Sequence, residues 1–168
     1  MTFDPTSIGK AHSNLPPRII ISGEPKAGKT TFAARAPNAL IIPVVGEEGC
    51  DDLYDENKVA VEVDSTPKAK TFGELVTMLE WFRDGDHSFK TVVVDSLSSA
   101  ERMIHHDLVE SDPKANSIEQ YDGGYGKGYT ATVEKFRLLT QILSDIREKR
   151  KCAVILVAHV TPKNLTDH

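Results

Sequence analysis

The stretch Arg18-Ile19-Ile20-Ile21-Ser22-Gly23-Glu24-Pro25-Lys26-Ala27-Gly28-Lys29-Thr30-Thr31 sets two elements and the turn between them. Arg18 to Ser22 is a continuous β-branched run bounded by Pro17 and Gly23, the pattern expected of a strand buried on both faces. Lys29 to Arg35 can form a short helix, which Pro37-Asn38 stops. Between them, Gly23 to Thr30 fits GxxxxGK[ST] without a mismatch. A polyphosphate is wrapped by successive backbone N–H groups, so glycines are needed where a Cβ would block the turn or the approach, and Gly23 and Gly28 occupy those places. Lys29 supplies a point charge for the terminal phosphoryl oxygens, and the Thr30 hydroxyl is a ligand type that suits Mg²⁺. The helix beginning at Lys29 would add its N-terminal partial charge, and Thr31 is placed for a hydroxyl on the α-phosphate side. Four fixed positions of this kind coincide by chance on the order of once in thirty thousand windows, so a chain of this length points to a real site. Gly23, Glu24, Pro25, Lys26, Ala27, Gly28, Lys29, Thr30 and Thr31 are the candidate nucleotide-binding residues, with ATP and Mg²⁺ as the expected ligands.

Working outward, apolar runs of strand length alternate with amphipathic segments. Ala39 to Val45 and Lys90 to Asp95 read as strands, Val59 to Val63 as a further short one, and Cys152 to Ala158 as a last strand ending at His159. Phe72, Leu75, Val76, Leu79 and Phe82 fall at helical spacing and predict a helix over Thr71 to Arg83, with Glu74, Glu80 and Arg83 in solvent. Leu97 to about Glu110 and Tyr129 to about Arg147 are the other helices, the latter striped by Val133, Phe136, Leu139, Leu143 and Ile146. Ser111 to Gly128 is a long polar connection. Strands alternating with helices predict an α/β fold, a three-layer sandwich on a mainly parallel sheet, with functional residues at the carboxyl ends of the strands. Residues 1–17 read as a polar arm closed by Leu15-Pro16-Pro17, and 18–168 as the core.

Composition is consistent with one globular domain: 168 residues, 39% hydrophobic and 27% charged. The longest apolar runs fall far short of the roughly 20 residues that span a bilayer, and the N-terminus has no apolar signal core, so no membrane partner and a cytoplasmic location are expected. Cys50 and Cys152 lie far apart without a CxxC or Cys/His pattern, which argues against a disulfide frame or a structural zinc. A net charge of −5, from 25 acids against 20 bases, argues against coating nucleic acid by bulk electrostatics and leaves room for a local basic groove.

Other positions carry chemistry less specifically. Val92-Val93-Val94-Asp95-Ser96 resembles a Walker B strand, whose terminal aspartate holds the metal; the plainer role for Asp95 or Ser96 is to cap the helix that follows. Glu47 and Glu48 follow the second strand and are candidates for positioning a water, or are an exposed acidic turn. His159 ends the last strand, where a side chain can sense a terminal phosphate. His105-His106 cannot chelate from adjacent helix positions and read as a solvated pair, and Trp81 as partial core. Tyr121, Tyr125 and Tyr129 with Lys127 could stack on and steer a single strand, or belong to a glycine-rich connector made acidic by Asp112, Glu119 and Asp122. Arg147-Glu148-Lys149-Arg150-Lys151 suits a helix C-terminus without any ligand. A small-molecule kinase would carry an arginine-rich lid, whereas Arg102 and Arg137 stand isolated; a nucleotide-gated binding module would keep Lys29 without needing Glu48.

The order of these motifs, a GxxxxGKTT loop, a strand leading to Glu48-Gly49, an apolar strand ending Asp95-Ser96 and a final strand ending Ala158-His159, resembles the RecA-like ATPase core. It is most similar to small phage-encoded recombination ATPases with single-strand annealing roles, usually described as AAA-domain proteins, and covers about Pro17 to Lys163. A Tyr-Gly-Lys-Gly-Tyr-like stretch, here Tyr125 to Tyr129, is shared as well. The resemblance implies Mg-dependent ATP hydrolysis with Glu48 as the catalytic glutamate that polarises the attacking water, Lys29 on the phosphates, His159 as sensor, and Thr30 and Asp95 at the metal. It also implies single-stranded DNA and further copies of the chain as partners. Such cores continue through further strands after the sensor histidine, so the 168 residues are expected to be a C-terminally shortened version.

Overall fold

A computed structural model describes residues 14–46, 53–54 and 60–160. Its strands are β1 (Arg18–Gly23), β2 (Ala39–Pro43), β3 (Asp64–Ser65), β4 (Thr91–Asp95) and β5 (Ala153–His159). Its helices are α1 (Lys29–Ala34), α2 (Phe72–Asp84), α3 (Leu97–Ser111) and α4 (Lys127–Lys149), with a short 3₁₀ turn at Tyr121–Gly123. The strands pair in parallel in the order β1-β5-β4-β2-β3. This is the expected α/β fold.

Alternation along the strands assigns each side chain to one of two cores. Leu40, Ile42, Val92, Val94 and Val154 point to the face covered by α2, α3 and α4, where Phe72, Leu75, Leu79, Phe82, Ile104, Leu139 and Ile146 meet them. Ile41, Val93, Ile155 and Val157 point to the other face and pack with Ala33 and Ala34 of α1 and with Leu53. The result is three layers, with the longer helices on one side. All five residues of β2 and of β4 are buried, as a parallel strand covered on both faces requires.

Two expectations fail, each for a physical reason. β1 is not buried on both faces: exposed and half-buried positions alternate along it, and Ile20 is 66% exposed. Among the described residues β1 pairs only with β5, so its β-branched run has a ladder on one side. The run expected as a strand over Val59 to Val63 is not one in its described part, 60–63, either. Val59 lies outside the described residues, Ala60 makes an isolated antiparallel bridge to Tyr54, and the pairing with β2 is made by Asp64 and Ser65. Val61 and Val63 instead pack as partly buried side chains under the α1 face, which gives the same apolar alternation without a ladder.

Caps fix the helix ends. Thr71 accepts from the N–H of Glu74 (3.2 Å), the Glu74 carboxylate accepts from the N–H of Lys70 (2.8 Å), and Asp107 of α3 accepts from the N–H of Phe72 (2.8 Å). The first-turn donors of α2 are thereby met from both its own sequence and a neighbour. Helix α4 starts at Lys127, two residues ahead of the sequence expectation, because Gly126 takes the left-handed conformation (φ 78°) that a side chain disfavours.

The connection between α3 and α4 has its own fixed hydrogen bonds. Asp112 accepts from the N–H groups of Lys114 (3.0 Å) and Asp122 (2.8 Å), and Gln120 accepts from that of Asn116 (3.0 Å). The basic run behaves as a helix end. Arg147 donates to the Pro16 carbonyl (2.6 Å) and Lys149 to Asp145 (2.8 Å).

Candidate nucleotide site

The site is built where β1, β5 and β4 end side by side. In register, Gly23 of β1 stands opposite His159 of β5, and Val157 of β5 opposite Asp95 of β4, so one sheet edge gathers residues far apart in sequence. The turn after β1 closes through Gly28, whose φ of 79° lies in the left-handed region and which serves as the N-cap of α1. A Cβ at Gly28 would meet nothing within 4 Å, so this glycine is needed for its backbone conformation and not for packing space. Lys26 also takes a positive φ, 65°, which turns the loop back on itself. Since α1 has only six residues, the anion-binding capacity rests on the loop and on Lys29 more than on a helix dipole.

Lys29 is 7% exposed, and its ammonium donates to the carbonyls of Gly23 (2.9 Å) and Glu24 (2.7 Å). A buried cation needs partners, and here the loop's own carbonyls supply them. A polyphosphate would replace these neutral acceptors with anionic ones, and charge-assisted hydrogen bonds are roughly twice as strong.

Asp95 is 1% exposed, and its carboxylate accepts the Thr30 hydroxyl at 2.7 Å. The two hard oxygen donors named from sequence therefore touch, although 65 residues separate them. Ser96, not Asp95, caps α3: its hydroxyl accepts from the N–H of Ser99 at 3.2 Å. The plain capping role thus belongs to Ser96, and the aspartate is turned toward the loop. Among the described residues no group of three or more His, Cys, Asp or Glu side chains could hold a metal. A hydroxyl and a carboxylate fit Mg²⁺, which binds through few protein ligands and keeps its other positions for phosphate and water.

His159 lies at the same edge. Its N–H donates to the Ser98 hydroxyl (3.0 Å), and its ring Nδ1 is buried. Glu47 and Glu48 lie outside the described residues. Gly46, the last described residue before them, has a φ of 90°, and a Cβ there would lie 3.8 Å from the Ser99 hydroxyl.

The three tyrosines do not form one platform. Tyr121 packs against the core, Tyr129 donates its hydroxyl to Glu119 (2.8 Å), and Tyr125 stands fully exposed at a φ of 56° between positive-φ glycines. Lys127 is paired with Asp122, at 3.0 Å from its carboxylate and 2.8 Å from its carbonyl. The Tyr129–Glu119 bond raises the tyrosine's pKa; the Ser117 and then the Tyr129 hydroxyl hold the Glu119 carboxyl below its ordinary range. His105 and His106 split as well: His105 packs edge-on against Tyr129 (6.0 Å), while His106 is exposed. Sequence reasoning missed a cleft beside α3, lined in part by Lys70, Arg102 and His106. Its signal was the spacing Ser99, Arg102, His106, which puts the three on one helix face.

No helix among the described residues is long and apolar enough to cross a membrane. The chain is similar in fold to a prototypical ATPase from the type III secretion system of pathogenic bacteria, with a TM-score of 0.52 and 17% identity. That likeness covers 91% of this chain and 47% of the other, so this chain spans about half the length of that structure. No curated protein sequence matches. Residues 15–168 match the family described as AAA domain. With the phosphate loop, the Thr30–Asp95 pair and the parallel sheet that joins them, the chain belongs to the AAA domain family and is an AAA-type P-loop nucleotide-binding domain.

Proposed function

We propose that the protein hydrolyses Mg-ATP and that single-stranded DNA stimulates the reaction, in a phage-type recombination or replication role carried out by several copies of the chain. The observation that carries the hydrolytic half is the 2.7 Å contact between Thr30 and Asp95 beside the buried ammonium of Lys29. When bound, Mg²⁺ would supply charge neutralisation at the phosphoryl oxygens. Lys29 exchanges the Gly23 and Glu24 carbonyls for those oxygens, Thr30 and Asp95 hold the metal position, and the Gly23 to Thr31 turn presents its N–H groups. Glu48 orients and polarises the attacking water, and His159 reports on the terminal phosphate through strand β5. The family resemblance supports both roles, and the DNA half draws on the fully exposed Tyr125 ring, a surface on which a base can stack. The protein would act in the cytoplasm.

Transfer to a small acceptor is less well supported, because Arg102 donates to Ser99 (2.6 Å) and Arg137 pairs with Glu134 along its own helix, so neither makes a lid. A binding module that barely hydrolyses would not depend on Glu48. ATP turnover with and without single-stranded DNA, in wild type, Lys29→Ala and Glu48→Gln, separates these readings. The proposal expects DNA to raise the wild-type rate, Lys29→Ala to lose nucleotide binding, and Glu48→Gln to keep binding while losing turnover. An unchanged rate with DNA, together with full activity in Glu48→Gln, would overturn it.

A further inference from the structure

The stretch Asp95-Ser96-Leu97-Ser98-Ser99 places three serines where β4 turns into α3. Ser96 caps the helix by accepting from the N–H of Ser99, and the Ser99 hydroxyl accepts from the Arg102 guanidinium. Both of these bonds stay within α3 and its cap. Ser98 reaches out of the helix: its hydroxyl accepts from the backbone N–H of His159, at the end of β5, at 3.0 Å.

That bond stands where the sheet ladder runs out. β4 and β5 pair from Thr91 with Ala153 to Asp95 with Val157, and β5 runs on through Ala158 to His159. The N–H of Ala153 donates to the Lys90 carbonyl, while those of Val154 and Val160 donate to the Pro17 and Gly23 carbonyls on the β1 side. Odd-numbered N–H groups of β5 thus face β4, and even-numbered ones face β1. Carried forward two residues at a time from Ala153, the parallel pattern sends the His159 N–H toward the Ser96 carbonyl. That carbonyl is turned into α3, where it accepts from the N–H of Ala100 (2.9 Å). The Ser98 hydroxyl supplies the acceptor in its place.

The two flanks of His159 are therefore held in different ways. On the β1 side, the Gly23 carbonyl that accepts from the N–H of Val160 (3.2 Å) also accepts from the Lys29 ammonium (2.9 Å). When Lys29 turns to phosphate, the bonding of that carbonyl changes with it. On the α3 side, the Ser98 bond uses a hydroxyl and a main-chain N–H, neither of which the proposed site assigns to nucleotide or metal. Nucleotide does not compete for it, and it ties the end of β5 to the segment that begins at the buried Asp95.

We propose that Ser98 is a positioning residue: its hydroxyl carries the β4–β5 pairing one step past the end of β4 and so fixes His159 relative to Asp95. The inference rests on the reading of His159 as the residue that reports on the terminal phosphate. A side chain that tells a triphosphate from a diphosphate has to be held to within about 0.5 Å. Held by the Gly23 flank alone, His159 would follow the loop that binds the phosphates; the Ser98 bond gives it a reference outside that loop.

The test compares the affinities for ADP and for a non-hydrolysable ATP analogue, both with Mg²⁺ and by calorimetry, together with kcat and KM for ATP. The proteins are wild type, Ser98→Ala, Ser98→Thr, Ser98→Val, His159→Ala and the double variant Ser98→Ala with His159→Ala. His159→Ala should bring the two affinities together. Ser98→Ala should reduce the preference for the triphosphate by about three- to tenfold, the range of one hydrogen bond, and lower kcat with KM and ADP affinity unchanged. Ser98→Thr keeps the hydroxyl and should restore the preference, while Ser98→Val has the same shape without it and should not; this pair decides the matter even where Ser98→Ala folds poorly. With the His159 ring already removed, Ser98→Ala should cost nothing further. If wild type binds the two nucleotides alike, or His159→Ala changes neither the preference nor kcat, the reading of His159 falls and this inference with it. If His159→Ala erases the preference while Ser98→Ala and Ser98→Val retain it, the inference alone fails. An equal loss from Ser98→Ala with and without the His159 ring would make Ser98 a part of the framework only and would overturn the inference as well.

Discussion

Strands β1 and β4 are alike in sequence and unlike in circumstance. Both are β-branched runs, Ile19-Ile20-Ile21 and Val92-Val93-Val94, and each hands a functional residue to the same edge. β4 has β2 and β5 beside it and helices on both faces, so Val93 is fully buried; β1 has β5 alone beside it among the described residues, and Ile20 is 66% exposed. Asp95 therefore stands at the end of a strand buried on both faces, while the loop bearing Lys29 follows a strand paired on one side among the described residues. Stability is unevenly spread in this way in most domains, and parts that must adapt to a ligand sit at the lower end. The carboxylate is held in place, and the loop proposed to grip the nucleotide has room to change its hydrogen bonds.

This contrast can be broken from either side. The largest effect should come from Lys29→Ala, which removes the only charge on the loop turned inward to its carbonyls; turnover should drop by about 10²–10³-fold, as for loss of a key charge-stabilising donor, with little change in melting temperature. Val93→Ala should do the reverse. Removing two buried methylene equivalents and leaving a cavity at the sheet centre should cost about 2–3 kcal/mol in chemical denaturation. Gly128→Ala sharpens the comparison at the base of the tyrosine segment: a Cβ there would lie 2.1 Å from the Ile118 carbonyl oxygen, and overpacking of this kind costs about 1–3 kcal/mol, measurable by thermal unfolding. Ile20→Ala on the exposed edge should stay within about 0.5 kcal/mol of wild type, and a cost equal to that of Val93→Ala would show that β1 is as well covered as β4.

The smallest effect concerns acid. The folded state holds the Glu119 carboxyl below its ordinary range, through Ser117 first and Tyr129 second, so its contribution is present above the ordinary carboxylate range and is lost as pH falls through the depressed value. Tyr129→Phe should make melting temperature less sensitive to acid in that window. An acid profile identical to wild type would mean that the Tyr129–Glu119 bond contributes nothing to folding.

Local patterns were legible where they need no neighbour to be interpreted. Gly23 to Thr30 is a contiguous loop whose chemistry lies in its own spacing, and the helices over Phe72–Asp84 and Lys127–Lys149 announced themselves by their stripes. The same β-branched pattern in β1 and β4 could not say which strand would be central, because burial depends on strand order, and strand order is a long-range property. The Val61–Val63 alternation misled for the same reason: side chains packed under α1 and side chains in a ladder share a period. The Thr30–Asp95 contact was inferable from motif order, but the separation of Ser96 as the cap from Asp95 as the partner of Thr30 needed geometry. The Lys70–Arg102–His106 cleft has no contiguous signature at all, since its halves come from different elements.

The central claim is that a rigid strand end and an adaptable loop meet in one metal-nucleotide site. Its most direct test is the Mg²⁺ dependence of binding of a fluorescent ATP analogue to wild type and to Asp95→Asn. The amide can still accept the Thr30 hydroxyl, so the fold and the metal-free affinity should be retained. The account predicts that Mg²⁺ tightens binding to wild type by at least about tenfold and leaves Asp95→Asn unchanged, because only the carboxylate supplies charge for the cation. Equal tightening of both proteins by Mg²⁺ would contradict it.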